Sequence, residues 1–274
     1  MDRDPAALAD LHSHLVPDVD DGASSVEDVV RSVERMTRAG IRKIITTPHL
    51  DGSLTLDPDG LQERLADIEE AWEKGAGAVE RAFPEVDFRR GHEVMLNQPE
   101  VDLSDPRVRL AGTSFVLIEW PRLQLPPGTR GVLERIRAQG FRPIIAHPER
   151  YAGMDLHLAT AAGWKEAGAY LQVNYGSIEG RYGNEARKTA MRLLRRGWVD
   201  YFSSDFHGRE HLKLYVGEVW SRLEEMGASE QLSLLCRTNP ARVFRDKEPL
   251  PVPLLPPERG FWARIRGILH TESA

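Results

Sequence analysis

Short apolar runs rich in β-branched residues alternate with helical stretches along most of the chain. The runs at 10–12, 41–46, 86–90, 115–118, 143–146, 170–173 and 199–202 read as strands. Between most of them the apolar positions shift to a three-to-four spacing. Val26, Val29, Val30, Val33 and Met36 recur this way, and Gly40 stops that helix. Ser24 and Glu27 stand at capping-box spacing ahead of it. Further helices are expected at 131–139, 159–167, 184–196 and 211–226, with a long charged one over 61–83 broken near Gly75 and Gly77. Seven strands separated by helices predict a parallel α/β fold. A distorted (β/α)7 TIM-like barrel fits the count better than an open doubly wound sheet, because no Gly-rich phosphate loop follows any strand. The open sheet is the alternative.

The 274 residues suit one large domain. With 41% hydrophobic and 28% charged residues, a disordered chain is excluded. A net charge of −6 disfavours a nucleic-acid partner. The single cysteine, Cys236, rules out an internal disulfide and a thiolate metal cluster, and fits a reducing compartment. Neither an eighteen-residue apolar run nor a basic-then-apolar leader is present, so a cytoplasmic protein is expected. The tail divides off by composition. Residues 1–245 form the expected domain, and the proline-rich 246–257 read as an extended linker. In 258–274, Phe261, Trp262, Ile265, Ile268 and Leu269 share one helical face, with Arg264 and Arg266 elsewhere. Such a helix docks on its own domain or a sister subunit, or contacts a membrane surface or partner protein.

Candidate chemistry lies at the strand ends. His12 and His14 close the first strand, and Asp21 follows in the next loop. His49 lies past the second strand, Glu93 ends the third, Glu119 the fourth and His147 the fifth, while Asp205 and His207 end the seventh. In a parallel barrel these ends converge on one face. Alternate strand residues point the same way, so His12 and His14, or Asp205 and His207, can hold one ion from one side. A lone histidine is usually a packed or surface residue. Five of the nine histidines with four carboxylates at successive strand ends point instead to a multinuclear metal site. Imidazole and carboxylate donors without thiolate suit Mn²⁺, Fe²⁺ or Zn²⁺.

The ordered motifs carry a resemblance. They are His12-Ser13-His14 with Val19-Asp20-Asp21-Gly22, Thr46-Thr47-Pro48-His49, Gly91-His92-Glu93, Ile118-Glu119-Trp120-Pro121, Ala146-His147-Pro148-Glu149-Arg150-Tyr151 and Ser203-Ser204-Asp205-Phe206-His207. Over roughly residues 10–245 the chain resembles the PHP (polymerase and histidinol phosphatase) superfamily. Within it, the chain is similar to the bacterial tyrosine-protein phosphatases of capsule and exopolysaccharide operons. The resemblance implies a PHP-type barrel with three divalent ions, commonly Mn²⁺. It assigns His12, His14, Glu93 and Asp205 to the first ion. Glu93 with Glu119 and His147 would hold the second, and Asp21, His49 and His207 the third. Arg150 matches a phosphate-binding arginine, whose guanidinium grips two oxygens at once. Arg209 lies closer to His207 than the family's second arginine does, and Lys213 lies beyond it. His92 reads as a group supporting Glu93, and Asn174 as a pocket residue or a loop cap.

Catalytic roles fall to Arg150, Asp205 and His207, with substrate contacts from Arg150, Arg209 and Asn174. The implied reaction is hydrolysis of phosphotyrosine by a metal-activated hydroxide, without a covalent enzyme intermediate. The implied partner is a membrane-associated tyrosine kinase of polysaccharide export. Rival readings are a histidinol-phosphate or other small-molecule phosphatase, an amidohydrolase-type enzyme, and a regulatory binding protein with a structural metal. Cys236 and Arg242 also satisfy the C-x5-R string of cysteine-dependent phosphatases. That chemistry needs a strand-loop-helix around the phosphate, whereas Leu232, Leu234 and Leu235 read as helix and Pro240 lacks a donor.

Overall fold

The computed structural model describes residues 7–256. Among these described residues nine strands run in chain order: β1 Leu8–Asp10, β2 Ile41–Thr46, β3 His49–Asp51, β4 Asp87–Arg90, β5 Glu93–Met95, β6 Phe115–Glu119, β7 Arg142–Ala146, β8 Tyr170–Asn174 and β9 Tyr201–Ser203. Every pairing is parallel, in the orders β1-β2-β4 and β3-β5-β6-β7-β8-β9. The two sheets are one surface. β3 continues β2 past Pro48, and β5 continues β4 past Gly91 and His92, so nine strands make seven staves. A Cβ on Gly91 would lie 2.8 Å from Leu110 Cα, which is why this joint takes glycine.

The ring is completed between the last stave and the first by a parallel bridge from Ser13 to Phe206. Backbone bonds from Asp205 N to His12 O (2.9 Å) and from His14 N to Phe206 O (2.8 Å) flank it. Asp10 ties the same seam with both carboxylate oxygens, one accepting His12 N–H (3.0 Å) and the other Ser204 N–H (2.7 Å). Those bonds end β1 at Asp10, two residues before the boundary the apolar pattern suggests.

Alternation along the staves fills the ring. Ile45, Phe115, Leu117, Ile144, Ala146 and Tyr201 point inward, and Val243 and Phe244 plug the floor. Their neighbours Ile44, Val116, Ile118 and Ile145 point outward into the helical layer. Trp120 stacks on Trp164 there at 5.3 Å.

Several boundaries differ from those the sequence predicts. The first helix, Val26–Arg38, is capped by Ser25 rather than Ser24, with Ser25 accepting from Asp28 N. Ser24 donates to the Asp28 carboxylate instead, so the capping box is shifted by one residue. The long helix Pro58–Ala82 is unbroken. Asp57 caps it with Pro58 in its first turn, and Gly75 is there for close packing, since a Cβ would lie 3.2 Å from Pro17 Cδ. The last strand is 201–203, and the helix expected from 211 starts at Val216. The proline-rich stretch is extended, as its composition requires, but through 256 it is docked rather than free. Asn239 exchanges two bonds with Leu250, and Gln231 donates to Leu254 O. The helix expected over 258–274 lies outside the described residues.

Candidate metal centre and active site

All nine residues expected as ligands meet at the C-terminal end of the staves, where their donor atoms form overlapping groups. Glu93 is the hub. Its Oε2 lies 3.2 Å from His12 Nε2, 3.4 Å from His14 Nε2 and 3.3 Å from His49 Nδ1, and its Oε1 lies 3.0 Å from His147 Nε2. Asp205 Oδ1 faces His12 Nε2 and His14 Nε2 at 3.5 and 3.6 Å. Asp21 Oδ1 stands 3.5 Å from both His49 Nε2 and His207 Nε2. The grouping departs from the expected one in three ways, the first being that His12 also stands with Glu93 and His147. His14 also joins Asp21, His49 and His207, its ring stacked on His207 at 4.2 Å. Glu119 lies nearer His49 (3.4 Å) than His147 (3.8 Å).

The backbone holds these groups at some cost. His147 has φ 34° and Asp205 φ 51°, both left-handed without being glycine. Such residues cost about 1–3 kcal/mol each and persist only where their surroundings fix them. Gly22 is required beside them, because a Cβ there would lie 2.2 Å from His14 O.

Two residues missed in the sequence orient the histidine pair. Asp20 accepts from His14 Nδ1 (2.8 Å), and Gln172 Oε1 accepts from His12 Nδ1 (2.8 Å). Gln172 is itself fixed, since its Nε2 donates to Asn174 Oδ1. With protons on both Nδ1 atoms, the two Nε2 atoms turn lone pairs inward and face each other at 3.3 Å. Lone pairs at that distance, ringed by carboxylates, need a shared cation, so the donor set fits a divalent metal. Burial works against charge on His12, but Glu93 and Asp205 outweigh it and push its pKa up to about 9, so with no metal bound this ring would carry a second proton in the cation's place. Burial likewise favours protonated Glu93 and Asp205, and the surrounding imidazoles overturn it, leaving both carboxyls well below their ordinary range. Asp20→Asn is expected to weaken divalent-metal affinity about 10- to 100-fold. Chelator competition reads this directly, and unchanged affinity would mean that Asp20 does not orient His14.

Arg150 reaches the centre from the turn after β7. Its Nη1 donates to Asp205 Oδ2 at 2.7 Å, and its guanidinium lies 4.3 Å from the Tyr182 ring centroid. Asn174 is buried and donates to the same Asp205 oxygen (2.8 Å), so it braces Asp205 rather than capping a loop. Tyr182 carries no signal in the sequence. Gln172 could have been found as the alternate position to Asn174 on β8, and Asp20 as the neighbour of Asp21. His92 turns away from the centre. Its Nδ1 donates to Arg107 O, and burial with nearby Arg90 pushes its pKa down to about 3. Arg209 lies at the rim, donating to Asp21 O (3.0 Å).

Residues 8–245 match the family model for capsular polysaccharide synthesis, CpsB/CapC. The chain belongs to the CpsB/CapC family. It is 28% identical over 255 residues to the tyrosine-protein phosphatase YwqE of Bacillus subtilis, covering 89% of this chain and 96% of that protein. It is 25% identical over 248 residues to the tyrosine-protein phosphatase CpsB of Streptococcus pneumoniae, covering 88% and 99%. A solved structure described among unique metal-dependent tyrosine phosphatases, YwqE and CpsB, superposes with a TM-score of 0.74 at 25% identity over 92% of this chain and 100% of that one. The Escherichia coli phosphotriesterase homology protein shares the fold at a TM-score of 0.53 and 17% identity, with 88% and 99% covered.

The competing cysteine motif has no such setting in this CpsB/CapC chain. Cys236 sits in a π-turn, Leu234–Thr238, within a helical run, and is fully buried. Burial pushes its thiol up to about 12, the reverse of an activated nucleophile. Phosphate release by Cys236→Ala is expected to stay within about twofold of the parent. A loss of activity in a folded variant would revive the thiolate mechanism.

Proposed function

We propose that this protein is a metal-dependent protein-tyrosine phosphatase. In this reading it takes three divalent ions, Mn²⁺ foremost, and acts in the cytoplasm on a membrane-associated tyrosine kinase of polysaccharide export. Among the described residues no helix is long and apolar enough to cross a membrane. The supporting observation is the junction of Arg150 with the nine-residue cluster through Asp205. That junction sets a bidentate cation for phosphate beside a place for cations. His12, His14, Asp21, His49, Glu93, Glu119, His147, Asp205 and His207 would hold the ions. Bound there, a divalent ion supplies a Lewis acid and lowers the pKa of coordinated water towards neutrality.

The chain's own residues do the rest. Arg150 is aimed by two partners, the Asp205 carboxylate and the Tyr182 ring, so little ordering is needed when phosphate arrives. Its fork grips two phosphate oxygens and stabilises the charge that builds on them. Asn174 and Gln172 keep Asp205 and His12 in register. A tyrosinate leaving group, with a pKa of about 10, needs less proton help than an alkoxide.

The deciding experiment strips the protein of metal, resupplies Mn²⁺, and follows phosphate release from a phosphotyrosine peptide and from histidinol phosphate. Release from the peptide alone supports the proposal. Release from histidinol phosphate alone makes the protein a small-molecule phosphatase. Neither activity with metal bound returns the question to an amidohydrolase or a binding protein.

A further inference from the structure

A groove of about 650 Å³ opens beside Arg150 and runs away from the metal cluster. The loop after β7 forms one wall and the helix Asn184–Arg195 the other. Arg150 and Tyr182 belong to both the groove and the catalytic site, so the two spaces are continuous. Met154 and Leu156 line the loop side, and Leu156 is 64% exposed although it is a large apolar residue. Thr189 and Arg192 line the helix side, where residues three apart share a face. At the groove lies Glu149, which is 3% exposed. Its Oε1 takes bonds from Asn174 N and Ser177 Oγ, which tie the Pro148–Arg150 turn to the end of β8 and fix this wall of the groove.

We propose that this groove holds the polypeptide flanking the phosphotyrosine, with Leu156 and Met154 packing on its side chains. The proposal rests on the phosphatase reading and adds where the residues beside the phosphotyrosine would bind. Size favours this placement. Cavities of roughly 300–1,000 Å³ take ligands well beyond a single aromatic ring, and the ring with its phosphate has its own place at Arg150. Continuity with the catalytic site fixes which polypeptide enters: the one whose phosphotyrosine Arg150 already holds.

The test compares a phosphotyrosine peptide of about ten residues with para-nitrophenyl phosphate on the Mn²⁺-loaded full chain. The variants are Leu156→Asp and Met154→Ser, neither of which is placed in the catalytic machinery. Each is expected to raise KM for the peptide about tenfold, with kcat for the peptide and both constants for para-nitrophenyl phosphate unchanged. A parent enzyme with the same KM for the peptide and for free phosphotyrosine would overturn the groove while leaving the phosphatase reading intact. Equal changes on peptide and aryl phosphate, or no change on either, would overturn it too. No turnover of any phosphomonoester would remove the phosphatase reading, and the groove assignment with it.

Discussion

Glu93→Gln is expected to empty the metal centre and to lower kcat/KM at least about a thousandfold. Four imidazoles converge on this one carboxylate, two of them through the seam of the barrel and two from separate staves. Glutamine keeps the shape but removes the negative charge, and it points an amide donor at nitrogens that need a cation between them. No neighbour can substitute, because Asp205 is committed to Arg150 and Asn174 as well as to the histidines. Divalent-metal content by mass spectrometry and turnover on the same sample check the prediction. Full metal content with activity within tenfold of the parent would show that Glu93 is not the hub.

Arg150→Lys is expected to cost about 10²- to 10³-fold in kcat/KM while metal content stays intact. Lysine keeps the charge but loses the planar fork and the stacking on Tyr182, so it can neither span two oxygens nor be aimed by the same partners. The separation of metal content from turnover is the informative part. Parent-like kinetics in the lysine variant would mean that a point charge suffices and that the fork is unused.

The staves and the ligands are legible in the sequence for the same reason: both follow from burial on two faces. A parallel barrel buries both faces of each strand, so its strands appear as apolar runs, and whatever polar residue ends a run stands at the open face. Thus His12, His49, Glu93, Glu119, His147 and Asp205 could be placed without coordinates. The residues that aim them leave at most a positional hint. Gln172 and Tyr182 act through contacts with segments distant in sequence, while Asp20 bonds to a histidine six residues away, where nothing local distinguishes it from Asp21. The joints in the second and third staves were hidden too, since β3 and β5 are three residues each and lack an apolar run of their own. The capping box slipped by one residue because Ser24 and Ser25 both offer the required hydroxyl.

The seam between the first and last staves brings together residues such as Leu11 and Ser203, which are 192 positions apart. The metal centre straddles that seam, with His12 and His14 on one side and Asp205 and His207 on the other. Contacts this distant carry a large loop-closure cost, which slows the folding of a barrel built on them. Until the last stave has been synthesised, His12 and His14 lack Asp205 and His207 as partners. The candidate ligands on the two sides of the seam therefore come together only once the barrel has closed.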